Sequence, residues 1–295
     1  MEIKHITFII NPASGKQEPI LSLINTAMEQ FDNHWEVEVT TRNRSASEIA
    51  AALIGKTDVV IVYGGDGTVT EVAAVLQGTD MLMGILPGGT ANVMAKELGI
   101  PLDSTQALNI LKEGAYQCRD IDMGLVNGTP FLLRVNLGIM ADMVLDANRE
   151  LKEKVGQLAY GITAMKTVAN ADPINYRMVI DGDVIEQSGV SLTVTNSGNI
   201  GIGDYALQPD ISISDGFLDV LLMKDTSLLS MFKIASSTLL QTETEALLHY
   251  KCREVIIMTD QQQRFICDDH EEQGSELKIS VLPSAIKILT PKTKI

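Results

Sequence analysis

Residues 58–76 constrain the architecture of this chain more than any other stretch. Asp58-Val59-Val60-Ile61-Val62 is a short apolar, β-branched run of the kind buried inside a sheet. It runs into Tyr63-Gly64-Gly65-Asp66-Gly67-Thr68-Val69-Thr70-Glu71, and a helix is expected from Thr70 to Leu76, stopped near Gly78. Three glycines and one acid therefore share a strand-to-helix turn. Glycine lets the backbone approach a ligand closely and adopt positive φ. The start of the helix offers amide groups without intrahelical partners, which suit an anion. The stretch reads as a phosphate site with one carboxylate built into it.

The flanking segments repeat the same unit. Ile3 to Ile10 reads as a strand that ends in the small polar turn Asn11-Pro12-Ala13-Ser14-Gly15-Lys16. Pro19 opens a helix with apolar residues at Ile20, Ile24, Ala27, Met28 and Phe31. Trp35 to Thr40 alternates like a half-buried strand, and Ser45-Ala46-Ser47-Glu48 is a capping box for the next helix, closed by Gly55. Leu82 to Leu86 is a further strand, ending in Pro87-Gly88-Gly89-Thr90-Ala91-Asn92, with helices to Leu98 and over Ser104–Glu113. Strands alternating with helices over short links imply a Rossmann-like α/β domain with a mostly parallel sheet. Ligands of such sheets bind at the carboxyl ends of the strands. Three small-residue turns fall at such ends, Asn11–Lys16, Gly64–Thr68 and Pro87–Asn92, and are expected to converge on one crevice.

After about residue 116 the rhythm changes. Strand-like runs crowd together at Cys118–Val126, Phe131–Leu137, Asn175–Ile180, Val184–Thr195, Leu218–Met223, Glu254–Thr259, Arg264–Cys267 and Leu277–Val281. Asn127-Gly128 and Asp181-Gly182 are hairpin signals between them. Only Glu150–Val168 and Leu228–His249 read as helical. This implies a second, antiparallel β-rich domain of sandwich type. The expected division is residues 1–120 for the α/β domain and 121–283 for the β-rich one, with residues 284–295 returning to the first.

Composition narrows the function classes. A net charge of −15, from 23 Lys and Arg against 38 Asp and Glu, argues against nucleic acid as a partner. The same charge gives no general attraction to anionic lipid, and Arg149, Lys152, Lys154 and Lys166 form the one modestly basic stretch, read as a solvated helix face. No run of 18 apolar residues is present. The opening Met1-Glu2-Ile3-Lys4-His5 lacks a signal-peptide pattern, and Cys118, Cys252 and Cys267 show no paired spacing. The expectation is a cytoplasmic chain with reduced thiols. His5, His34 and His249 have no ligand-like spacing and are expected to be structural or surface residues.

The glycine turn also carries a resemblance. Gly-Gly-Asp-Gly-Thr is similar to the turn of NAD kinases and of the diacylglycerol kinase catalytic family, and a related turn occurs in phosphofructokinases. Leu86-Pro87-Gly88-Gly89-Thr90-Ala91-Asn92 resembles the Pro-x-Gly-Thr-x-Asn segment of the diacylglycerol kinase family. Asn11-Pro12-x-x-Gly15, Ile121-Asp122-Met123-Gly124, Leu158-Ala159-Tyr160 and Leu207-x-Pro209 with Asp215-Gly216-Phe217-Leu218-Asp219-Val220 resemble further blocks of that family, in order along nearly the whole chain. The nearest likeness is to soluble bacterial two-domain lipid kinases.

That resemblance implies an ATP-dependent lipid kinase, with magnesium as cofactor and a lipid such as diacylglycerol as acceptor. The enzyme would work at the membrane surface without spanning it. Asn11, Ser14 and Gly15 would lie along the ATP phosphates, and Thr40 would hydrogen-bond the nucleotide. Gly64, Gly65, Asp66, Gly67, Thr68 and Glu71 would hold phosphates and magnesium, with Asp66 placing the catalytic metal. Thr90 would cap its helix and touch nucleotide, and Lys16 would steady a phosphate or remain a solvated lysine. Asp215, with the carbonyls of Ser212 and Phe217, would hold a second, structural magnesium; the bland alternative is an Asp-Gly turn before a strand.

Two positions depart from the family pattern. Val93 stands where the family often has Asp. Cys267-Asp268-Asp269-His270 stands where the family usually has Asp-Gly-Glu, whose Glu is its proposed general base. Alignment back from Leu282-Pro283 matches Asp268 to the Asp and His270 to the Glu. The base is therefore expected within Asp268–Glu272, with Asp268 and His270 as the catalytic candidates: His270 is the base, or a neighbour such as Glu271 has moved in, or the histidine is a solvent-exposed bystander. Histidine titrates close to neutrality and can serve as a base. Alternatives left open are a nucleotide-binding regulatory relative with impaired catalysis, a kinase for a soluble acceptor such as NAD, and a homodimer.

Overall fold

The computed structural model describes residues 3–29, 34–142, 172–199, 210–226 and 247–292. The chain forms two compact units: Met1–Met123 with Ser197–Ala206 and Pro283–Ile295, and Gly124–Asn196 with Leu207–Leu282.

In the first unit, the strands β1 (His5–Ile10), β2 (His34–Val39), β3 (Val59–Gly64) and β4 (Leu82–Pro87) are parallel, in the order β2-β1-β3-β4. β3 and β4 are buried along their whole length, as their apolar runs demand, so both faces of the sheet must be covered. The helices α1 (Ile20–Met28), α2 (Ala46–Leu53), α3 (Asp66–Leu76), α4 (Val93–Glu97) and α5 (Ser104–Lys112) do this, α1 packing with α5 and α2 with α3. The capping box opens α2: Ser45 accepts from the Glu48 amide, and the Glu48 side chain accepts from the Ser45 amide. From β1 the chain moves to β2 on one side; β3 then returns to the other side of β1. The point where strand order reverses lies between the carboxyl ends of β1 and β3, where open α/β sheets bind ligands.

In the second unit the sheet is antiparallel. Its strands include β5 (Tyr116–Val126, of which Gly124 onward belongs here), β6 (Thr129–Phe131), β7 (Arg134–Gly138), β8 (Ile174–Ile180), β9 (Asp183–Gly189), β10 (Ser191–Thr195), β11 (Leu218–Met223), β12 (Leu247–Cys252), β13 (Glu254–Cys267) and β14 (His270–Pro291). β12-β11-β10-β7-β13-β14 form one path. The first half of β13 pairs with β8, the second half with β7, and its register against β14 shifts between Met258 and Gln263. β13 thus serves both layers of a sandwich. Its core holds Phe131, Val135, Tyr176, Leu192, Val220, Val255, Phe265 and Leu277. β14 ends in the first unit, where Lys287 and Ile288 pair in parallel with Leu82 and Met83 of β4.

Several expected boundaries change. The run Phe131–Leu137 divides into β6 and β7, because the amides of Leu132, Leu133 and Arg134 turn to a carboxylate instead of a strand. Val184–Thr195 divides at Val190, while Glu254–Thr259 and Arg264–Cys267 join into β13. The helix expected over Leu228–His249 does not reach its end, since Leu247–His249 belong to β12. The helix expected at Glu150–Val168, its basic side chains and the Leu158–Tyr160 block lie outside the described residues. Phe265 is fully buried in the sandwich core, so Phe265→Ala is expected to cost about 3–5 kcal/mol in chemical unfolding of the β-rich unit.

Candidate functional site

The three turns at the carboxyl ends of β1, β3 and β4 meet. The Asn11 amide donates to the Tyr63 carbonyl (2.9 Å), the Gly88 amide to the Gly64 carbonyl (2.9 Å) and the Lys16 amide to the Gly88 carbonyl (3.0 Å). Asn11 Nδ2 donates to Thr68 Oγ1 at 2.8 Å, fastening the first turn to the start of α3. Asn11 Oδ1 accepts from the Ala13 amide at 3.0 Å, the local turn that Asn at this position favours. A Cβ on Gly15 would lie 3.2 Å from Thr90 Oγ1, so the first turn also touches the third.

The closest approach is between Gly65 and Gly89. A Cβ on Gly89 would stand 2.5 Å from the Gly65 Cα, and one on Gly65 would stand 3.4 Å from the Gly89 Cα. Glycine is required at 89 because backbone passes against backbone there. Asn92 holds Gly89 in place from both sides: its Oδ1 accepts from the Gly89 amide (2.9 Å) and its Nδ2 donates to the Gly89 carbonyl (2.8 Å). This closes the turn with Asn92 in the left-handed region, φ 49°, so the helix begins at Val93. The expectation that Thr90 caps that helix is therefore corrected: Asn92 is the cap residue, it makes no side-chain cap bond, and Thr90 is an exposed residue within the turn.

Asp66 is the first residue of α3, with Gly65 as its N-cap. Its half-buried carboxylate accepts from the Met94 amide at 3.2 Å, joining the first turns of α3 and α4. Glu71 faces elsewhere: Oε1 accepts from the Ser47 amide at 3.0 Å in the first turn of α2. The Lys16 ammonium donates to the Leu102 carbonyl. Thr40 follows β2 and its amide donates to the Ile10 carbonyl at 2.9 Å. Ser14 keeps a buried hydroxyl with no hydrogen-bond partner beside these turns.

Beneath the glycines lies a group that sequence reasoning missed. Tyr63, 3% exposed, donates its hydroxyl to Glu18 Oε1 at 3.0 Å, and Ser104 Oγ donates to the same oxygen at 2.6 Å. Burial, then the Glu18 carboxylate, pushes the Tyr63 phenol up to about 12. A Cβ on Gly88 would meet this ring at 2.9 Å, so the ring is the floor on which the third turn rests. Glu97 acts similarly, accepting from Ser197 Oγ (2.8 Å) and the Asn199 amide (2.7 Å).

In the second unit, Cys267 pairs with His270, so Asp268-Asp269 is the tip of the β13–β14 hairpin. Asp268 sits at φ 50°, and its carboxylate accepts from the amides of Leu132 (2.8 Å), Leu133 (3.0 Å) and Arg134 (2.8 Å). His270 is 75% exposed, and its Nδ1 lies 2.6 Å from Asp269 Oδ1. Glu271 Oε1 lies 3.6 Å from Arg264. At the other predicted metal loop, Asp215 Oδ1 accepts from the Phe217 amide at 3.1 Å, and Ser212 Oγ accepts from the Ser214 amide at 3.4 Å. Asp215 Oδ2 is paired with Lys251 Nζ at 2.7 Å. That ammonium also reaches the Asp210 carbonyl (3.3 Å); its hydrogen bond to Asp215, then the charges of Asp219, Asp215 and Asp210, hold its pKa above the usual lysine value. Asp219 is fully buried, with Oδ1 2.6 Å from His249 Nε2 and Oδ2 without a hydrogen-bond partner. Leu207 and Pro209, from the same predicted block, lie outside the described residues. Among the described residues no helix is long and apolar enough to cross a membrane.

Known proteins share this architecture. The sequence pattern of the diacylglycerol kinase catalytic domain matches residues 5–126, and that of the YegS C-terminal NAD kinase beta sandwich-like domain matches residues 134–290. The chain is 30% identical over 243 residues to a diacylglycerol kinase of Bacillus subtilis (strain 168), covering 80% of this chain and 79% of that one. It is 29% identical over 312 residues to a diacylglycerol kinase of Mycobacterium tuberculosis (strain ATCC 25618 / H37Rv), covering 99% and 96%. The fold matches the crystal structure of a diacylglycerol kinase from Bacillus anthracis str. Sterne with a TM-score of 0.79 at 20% identity, covering 98% of each chain.

The three-amide grip on Asp268 generates a test of the hairpin. Asp268→Ala leaves three amides unsatisfied and is expected to lower stability by about 1–3 kcal/mol, with Asp268→Asn recovering part of the loss in thermal unfolding.

Proposed function

Because the chain belongs to the diacylglycerol kinase catalytic-domain family, and is a lipid kinase, we propose that it transfers the γ-phosphate of ATP to a lipid hydroxyl such as that of diacylglycerol. The observation that carries this reading is the Gly65–Gly89 approach at the carboxyl ends of β3 and β4, next to the switch point of the sheet. It brings the two glycine turns together at the start of α3, where helix-start amides would face an anion and Asp66 supplies one carboxylate. The turn of Asn11, Ser14 and Gly15, with Thr68 behind it, lines the phosphates, and Thr40 contacts the nucleotide. Bound magnesium would neutralise phosphate charge at Asp66, the carboxylate suited to a hard cation.

In the transfer, the lipid hydroxyl oxygen forms a bond to the γ-phosphorus as the bond to the bridging oxygen breaks, and ADP leaves. The hydroxyl proton goes to Nε2 of His270, whose Nδ1 is turned to Asp269. Asp268 is assigned a positioning role: the three amide bonds that it accepts fix the turn that presents His270. Loose phosphoryl transfer rests more on positioning and charge neutralisation than on the base, so His270 contributes less than Asp66. For the second magnesium, Asp215 with the Ser212 and Phe217 carbonyls is the donor set, and the unpartnered Asp219 oxygen adds anionic character. Lys251 already holds Asp215, so a cation there competes with the ammonium.

The reading places the enzyme at membrane surfaces from the cytoplasm, in lipid metabolism. Labelled γ-phosphate is expected to appear in lipid when the chain is incubated with ATP, magnesium and diacylglycerol in mixed micelles. Label in NAD instead would select a soluble acceptor, and nucleotide binding without transfer to any acceptor would select a regulatory relative. Asp66→Ala is expected to abolish turnover. His270→Ala is expected to lower kcat by about 10²-fold or more with little change in KM for ATP; full activity would remove His270 from the mechanism. Lys251→Met is expected to lower the magnesium concentration that gives half-maximal thermal stabilisation, and an unchanged value would argue against a metal at Asp215.

A further inference from the structure

His5, His34 and Glu36 are far apart or unremarkable in sequence, but the parallel register of β1 and β2 brings them together. His5 pairs with His34 and Thr7 with Glu36, so the three side chains share one face at the amino ends of the two strands. Among the described residues their donor atoms lie within 4.8 Å of one another. The His5 and His34 rings meet edge to face, with centroids 4.6 Å apart. His5 Nε2 lies 3.4 Å from Glu36 Oε1, is closed off from solvent and has no hydrogen-bond partner. A buried ring nitrogen aimed at a carboxylate without a bond to it is a donor waiting for an acceptor of its lone pair.

The surroundings hold these groups as a ligand set. Thr7 Oγ1 donates to Glu36 Oε1 at 3.2 Å and orients the carboxylate. Thr57 Oγ1 donates to the His5 carbonyl at 2.9 Å, and Asp58 Oδ2 accepts from the amides of Lys4 (2.8 Å) and His5 (3.0 Å), which fixes the His5 backbone. His34 and Glu36 are exposed and can adjust. Donors around tetrahedral zinc stand about 3.3 Å apart, given bonds of about 2.0–2.1 Å. The His5–Glu36 pair, at 3.4 Å, already meets that separation, and the exposed His34 ring, within 4.8 Å of both, can close the remainder by side-chain rotation.

We propose that His5, His34 and Glu36 form a three-ligand site for a zinc-class divalent cation, with water completing the tetrahedron. Two imidazoles and one carboxylate favour zinc, cobalt or nickel over magnesium. The site is separate from the phosphate turns: β1 runs from His5 to Ile10, and Asn11 follows about 20 Å from His5 at the rise of a strand. β2 is the edge strand of the parallel sheet, so the cation staples that edge to β1.

Zinc titrated into the metal-free full chain, followed by calorimetry in excess magnesium, is expected to show one site. His34→Ala and Glu36→Gln, both at exposed positions, are expected to weaken it at least tenfold, while His249→Ala and His270→Ala leave it unchanged. Cobalt in the unaltered chain gives an independent reading, since tetrahedral ligation produces intense visible bands. Absence of a zinc site, retention of full affinity in the first two variants, loss in the second two, or weak octahedral-type cobalt bands would each overturn the assignment.

Discussion

The first unit depends on two stretches of backbone passing each other where no side chain fits. Gly65 and Gly89 stand in turns after β3 and β4, and a methyl group on Gly89 would sit 2.5 Å from the Gly65 Cα. Several neighbouring side chains hold the turns in place. Asn92 grips Gly89 through both amide atoms, Tyr63 and Glu18 support the third turn from below, and Asn11 ties the first turn to Thr68. Asp66 then begins α3, and its carboxylate joins the first turns of α3 and α4 through the Met94 amide. The proposed phosphate chemistry rests on this geometry, because an anion there would meet donors that are already fixed.

The second unit uses a carboxylate in a different way. Asp268 draws three consecutive amides toward the hairpin tip, which splits β6 from β7 and presents His270 to solvent. The departure from the family's Asp-Gly-Glu pattern thus falls at a turn whose shape is set by its Asp. The shape is held by Asp268, while the proposed chemistry moves to the Asp269–His270 pair. Lys251 beside Asp215 makes a related point, since an internal ammonium already supplies a positive charge at a loop where the resemblance implies a metal.

Much of this was legible in the sequence where local pattern and tertiary structure agree. The apolar runs of β3, β4 and β11 are buried as written, and Ser45–Glu48 forms its capping box. The three small-residue turns were readable as ends of parallel strands, and their meeting follows from strand order. What was not legible depends on residues far apart in the chain. Nothing near Phe131 announces a break, because its cause, Asp268, lies some 135 positions away. Thr90 looks like a helix cap until Asn92 folds back on Gly89. Glu18 carries no motif that links it to Tyr63 and Ser104, and His5 and His34 lack any motif until the register of β1 and β2 pairs them.

The central claim is that the side-chain-free contact between the two glycine turns creates the phosphate site. Its most direct test is calorimetric titration of ATP with magnesium into the unaltered chain and into Gly89→Ala, with circular dichroism confirming that both are folded. The account predicts that the added methyl group forces the turns apart and weakens nucleotide binding at least tenfold while the fold persists. A folded Gly89→Ala chain that binds ATP as tightly as the unaltered one would contradict it.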